Sequence, residues 1–159
     1  MPSGTEFITH EFDEAIAIQQ AIVESGRKLS TSHPVPGVKR QIKADLKVDE
    51  RHLIELKRFG KSFGAAGKRE EVADALVTLA EETAGKASDE KSEAYEAHAV
   101  LLNLKRKQQD SADAIVKIAR DRKATDLRDA ATKMKREIKS SADALGKSLA
   151  DFAVEIASA

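Results

Sequence analysis

The chain carries only three prolines, at positions 2, 34 and 36. Proline removes a backbone donor and clashes with the preceding turn, so its absence beyond Pro36 leaves helix free to run through the rest of the chain. The apolar residues use that freedom at helical spacing. Leu127, Ala131, Met134, Ile138, Ser141 or Ala142, Leu145, Leu149, Phe152 and Ile156 follow one another at steps of three and four, which places them along one side of a helix. Period-two alternation of β-branched residues is absent, so the fold class is all-α.

The pattern predicts a first helix over about 6–29, after a flexible N-terminus of about 1–5. Its stripe is Ile8, Phe12, Ala15, Gln19, Ile22, Gly26 and Leu29. Residues 30–37, with two prolines and three hydroxyl side chains, read as a loop. A second helix covers about 38–59, or to Phe63, with Gly60, Gly64 and Gly67 ending it. A short helix follows near 69–84, with Gly85 as its C-terminal cap. Ser88, Asp89 and Glu90 signal a new N-terminus for a long helix over about 89–120. Its stripe passes through Ala94, Ala97, Leu101, Leu104, Gln108 and Ile115, and its phase slips near 121–125, where Thr125 can cap the last helix. Four main helices with short connections imply one domain over 1–159, an antiparallel up-down four-helix bundle with one extra short helix near 69–84.

Composition bounds the function. Hydrophobic residues make up 41% and charged residues 34%, too apolar for a disordered chain. No run approaches the roughly 20 apolar residues that span a bilayer. The first residues lack the basic stretch and apolar block of a secretory signal, and a cytoplasmic location is expected. There is no cysteine, which excludes disulfides, thiolate metal sites and cysteine nucleophiles. Basic and acidic residues balance at 27 each and alternate by segment, so no single basic face is available to nucleic acid.

The apolar stripes are interrupted by polar residues near their middles. On the second helix Asp49 lies on the stripe, with Asp45 and His52 beside it. A carboxylate there must be paired, solvated, protonated or bound to something, because an isolated buried charge is very costly. Gln19, Gln108 and Ser141 interrupt the other three long stripes. Helix midpoints meet at similar heights in an up-down bundle, so Gln19, Asp45, Asp49, Gln108 and Ser141 are expected to form one buried polar layer that fixes register. The alternatives are a rotated second helix with Asp49 facing solvent, and a metal site.

The segment Asp49-Glu50-Arg51-His52-Leu53-Ile54-Glu55-Leu56 resembles the second helix of ferritin-like and rubrerythrin-like bundles. Val38-Lys39-Arg40-Gln41-Ile42 and Phe59-Gly60 are similar to small ferritin-like proteins as well. Those bundles carry Glu-x-x-His at this place because three-residue spacing presents both ligands on one face. Here Asp49 stands for the glutamate, and the last helix has no histidine: Glu137 is followed three residues later by Ser140. The resemblance therefore implies at most a partial site, a single iron, zinc or manganese ion held by Asp49 and His52 with His98 as a further ligand.

The remaining motifs are weaker. Lys105-Arg106-Lys107 and Arg120, Arg122, Lys123 read as solvated faces or complements to a helix dipole. Gly60-Lys61-Ser62 lacks the glycine and the preceding strand of a phosphate loop. His10 and His33 have no partner identifiable from spacing. The expected function is a non-catalytic helical module that acts by self-association or by binding a partner protein, with Leu145, Leu149, Phe152 and Ile156 as the contact surface. The competing expectation is the ferritin-like metal-binding protein.

Overall fold

The computed structural model describes residues 3–67, 70–85 and 89–159. Among these residues the fold is an all-α helical bundle of five helices: α1 (Gly4–Ser32), α2 (Pro36–Ser62), α3 (Glu70–Gly85), α4 (Glu90–Asp121) and α5 (Thr125–Ala157). No strand occurs among the described residues. Among them, too, no helix is long and apolar enough to cross a membrane.

Helix ends differ from the sequence expectation for local reasons. α1 starts at Gly4 because Ser3 and Glu6 form a capping box: the Ser3 hydroxyl accepts from the Glu6 N–H, and the Glu6 carboxylate accepts from the Ser3 N–H. Of the stretch expected to be flexible, residues 3–5 are thus ordered by this cap, and the first two lie outside the described residues. α1 also runs through Ser32, into the expected loop. The hydroxyls of Ser30, Thr31 and Ser32 donate back to the carbonyls of Arg27 and Lys28, so they extend the helix instead of breaking it. α2 begins with Pro36 in its first turn, where a missing N–H costs nothing. Gly60 does not end α2; it lies inside it. A Cβ there would come within 3.2 Å of Ala65 Cβ and 3.3 Å of the Phe12 ring, so glycine allows the close approach of α1. The turn comes at Gly64 and Gly67, with φ of 77° and 67°, and the Gly67 N–H donates to Asp13. Asp89 is the N-cap of α4, accepting from the Ser92 N–H, while Ser88 lies outside the described residues. α5 is capped at Ala124 without a side-chain bond, and Thr125 is its first helical residue, not its cap.

α1 packs against α2, α3 and α4; α4 packs against α5; α2 meets α5. The core falls into two apolar clusters. One holds Ile8, Phe12 and Ile16 of α1, Leu56 of α2, Ile115 of α4 and Leu127, Met134 and Ile138 of α5. The other holds Ile18, Ile22 and Leu29 of α1, Val38 and Ile42 of α2, Leu101 and Leu104 of α4, and Leu145 of α5. Between them, every long helix contributes a buried polar residue: Gln19, Asp49, Lys105 and Gln108, and Ser141. Leu145 and Phe152, expected on a contact surface, are 0% and 2% exposed. They belong to the interior of this chain, because α5 turns that face toward α4 and the α1–α2 corner.

Candidate functional site: a buried ion pair in a polar layer

Lys105 organises the layer. Its side chain is 1% exposed, and its ammonium lies 2.9 Å from Asp49 Oδ2. The same nitrogen donates to the Ser141 hydroxyl at 2.5 Å and lies 3.9 Å from Asp45. Ser141 in turn donates to Asp45 Oδ2 at 2.8 Å. A lysine has three donors and no acceptor, so two carboxylates and a hydroxyl suit it. α2 supplies both carboxylates because positions 45 and 49 are one turn apart on its inner face. Burial pushes the Asp49 carboxyl above its ordinary range, and the Lys105 ammonium pulls it back down.

Two glutamines close the other side of the layer. Gln108 Nε2 donates to the Ala15 carbonyl at 2.8 Å and to Gln19 Oε1 at 3.0 Å. Gln19 Nε2 passes the chain of bonds on to the Asp49 carbonyl at 2.9 Å. Asp49 is therefore held twice, by its side chain from α4 and by its backbone from α1. The five residues expected in the layer, Gln19, Asp45, Asp49, Gln108 and Ser141, do come together. The sixth, Lys105, belongs to a basic run whose sequence suggests a solvated face, yet it is the residue that neutralises the acids. The signal lay in its position, four after Leu101 and three before Gln108, squarely on the α4 stripe.

His52 lies one turn from Asp49 and is 0% exposed. Its Nε2 is 3.4 Å from Glu137 Oε1 on α5, and Arg51 pairs with the other oxygen of that carboxylate. Its Nδ1 has no hydrogen-bond partner among the described residues. Burial lowers the His52 ring to about 4 despite the nearby glutamate. The α2–α5 seam above this pair opens as a groove of about 280 Å³, lined in part by Gln41, Asp45, Asp49, Glu137 and Ser141.

His98 lies elsewhere, with His33. The Val35 N–H donates to His33 Nδ1 at 3.1 Å, which makes that nitrogen an acceptor. His33 Nε2 therefore donates to His98 Nδ1, at 3.1 Å, and His98 Nε2 donates to the Leu145 carbonyl, at 3.0 Å. The fixed donor at one end and fixed acceptor at the other allow one tautomer for each ring, both neutral. Burial lowers His98 and takes His33 to about 4, the latter with help from His98. Phe152 packs on His33 with ring centroids 4.8 Å apart. No spacing in the sequence linked a loop histidine to the α4 stripe.

The three residues grouped as metal ligands thus have separate partners: Asp49 has Lys105, His52 has Glu137, and His98 has His33. Among the described residues no group of three or more His, Asp or Glu side chains is placed to hold a metal ion. At Asp49 the positive charge is supplied by the chain itself.

Two outcomes follow from this geometry. Asp49→Asn and Lys105→Met should each cost about 3–5 kcal/mol in urea unfolding, because each leaves a buried charge unpaired. The double variant should cost less than the sum by roughly 1–3 kcal/mol, whereas additive costs would contradict the pair. Acid should also destabilise the chain. The folded His33 and His52 bind protons near pH 4, while the unfolded rings bind them near 6.5. Their contribution is complete above pH 6.5 and is lost as pH falls from there toward 4. Asp49, whose carboxyl is raised, acts in the opposite sense, and His98, which is lowered, acts in the same sense as the other two rings. A urea midpoint that stays level across that window would contradict the neutral rings.

No protein-family model, curated protein or solved structure matches this chain.

Proposed function

We propose that this chain is a non-catalytic helical module that acts by associating with a second copy of itself. The observation that carries this reading is the closure of the polar layer. Asp49, Asp45, Ser141 and Lys105 satisfy one another, and the two glutamines join them to α1. A layer of this kind specifies how helices align, which suits a scaffold that presents a fixed surface.

The pairings across the layer support a four-helix bundle with antiparallel neighbours. Between α1 and α2, Thr9 bonds the Phe63 carbonyl near one end and Arg27 pairs with Glu50 toward the other. Between α4 and α5, Lys91 pairs with Glu155, Lys105 with Ser141 and Asp113 with Lys135. Since α1 also meets α4 head to tail, through Gln108 at Ala15 and His98 at His33, α2 and α4 run the same way. The arrangement is then up-down-down-up, with α3 climbing along α1 from the Asp13–Gly67 bond to the Lys28–Glu81 pair. For the four long helices this departs from the simple up-down order expected from the sequence, because α3 returns the chain along α1 before α4 begins.

The contact surface is the seam between the start of α4 and the end of α5. Tyr95, Ala153, Ile156 and Ala157 line a groove there of about 270 Å³. Val154, 66% exposed, stands next to Ala153 on α5. Exposed apolar side chains of this kind gain free energy when a second surface covers them.

A second reading, the ferritin-like metal protein, is favoured by one observation: buried His52 has an unpartnered Nδ1 and a carboxylate, Glu137, at its other nitrogen. Lys105 weighs against it, since an ammonium already neutralises Asp49. Multi-angle light scattering over a hundredfold concentration range, with metal analysis of chelator-free protein, separates the two. The first reading expects a dimer that Ile156→Asp returns to monomer, and no stoichiometric metal. A strict monomer carrying iron, zinc or manganese that is lost in His52→Ala would support the second.

A further inference from the structure

We propose that the cavity between α1, α3 and the first turns of α4 binds a small amphipathic cation, an alkyl or aryl body carrying one ammonium group. The cavity measures about 320 Å³. That lies at the lower end of the roughly 300–1,000 Å³ of small-molecule pockets. Its apolar wall is Leu29 of α1, Val77 of α3, and Ala94 and Ala97 of α4. The same stripe of α4 carries leucines further on, at 101 and 104. The space exists because alanines stand where larger side chains would fill it.

The rim decides the sign of the ligand's charge. Among the described residues that line it, Lys28 is the one cation beside Glu81, Glu90 and Glu93, and Lys28 is already paired with Glu81. The N-terminal dipole of α4 offsets part of the negative charge of Glu90 and Glu93, since both lie in its first turn. Asp89 already caps that terminus through the Ser92 N–H, so the excess at the rim stays negative. In the wall, the Ser25 hydroxyl is buried and has no hydrogen-bond partner among the described residues. Rotation of that side chain toward the cavity would let its oxygen accept from an ammonium N–H. A carboxylate ligand would meet two glutamates and is disfavoured.

Amide NMR titration of the full chain with hexylammonium, hexanoate and hexanol tests the site. Hexylammonium should give saturable shifts at Leu29, Ala94 and Ala97, with hexanoate and hexanol binding at least threefold more weakly. Glu93→Gln, an exposed change that leaves the fold alone, should weaken hexylammonium by about threefold, the scale of an exposed ion pair. Ala97→Phe, which fills the cavity, should remove the shifts while the helical circular dichroism persists. Equal binding of hexanoate or hexanol, shifts centred away from these residues, or unchanged affinity in Glu93→Gln would overturn the proposal.

Discussion

The buried ammonium of Lys105 is the interaction on which the rest of this structure depends. It lies where the two apolar halves of the core meet, and it touches a carboxylate of α2 and a hydroxyl of α5 from its own place on α4. Removing one charge from water costs several kcal/mol, and the pair recovers that only when the geometry is good and the remaining groups are bonded. Here Ser141 ties to Asp45, and Gln19 ties the Asp49 backbone to Gln108, whose Oε1 alone in the layer has no hydrogen-bond partner among the described residues. Sliding α4 by a turn would bring Leu101 or Gln108 to the place of Lys105 and leave Asp49 without its ammonium. Apolar packing tolerates such slips far better than buried charge does, so the layer sets the alignment while the clusters on either side supply most of the stability.

The layer also separates two regions of different character. On one side Phe12, Ile16, Ile115 and Met134 pack as an apolar core. On the other, the imidazoles of His33 and His98 replace aliphatic side chains and span from the α1–α2 turn to the Leu145 carbonyl. This run of hydrogen bonds joins the α1–α2 turn to α5 through α4. It does so with neutral rings, each using both of its nitrogens, so burial carries little penalty as long as neither ring gains a proton.

Much of this was legible from residue spacing. The five helices, the all-α class and the polar residues that meet in the middle follow from steps of three and four, because helix geometry converts those steps directly into faces. What spacing does not convey is which polar residue answers which. Asp49 announces that it needs a partner, but Lys105 sits in a basic triplet whose other two members, Arg106 and Lys107, are solvent-exposed. Only the common phase of Leu101, Lys105 and Gln108 sets it apart. His33 carried no periodic signal at all, since it lies in a turn. The hydroxyls of residues 30–32 read as a loop because their bonds to preceding carbonyls depend on rotamer choice. Leu145 and Phe152 read as a surface because periodicity gives a helix its apolar face without saying whether a neighbour in the same chain already covers it.

The most direct test of the central pair is solution NMR of the Lys105 side-chain ammonium in the folded chain at neutral pH. If the pair is buried and bonded, the ammonium protons will exchange slowly with water and show nuclear Overhauser contacts to the side chains of Ser141 and Asp49. An ammonium that exchanges as fast as those of solvent-exposed lysines, without such contacts, would contradict it.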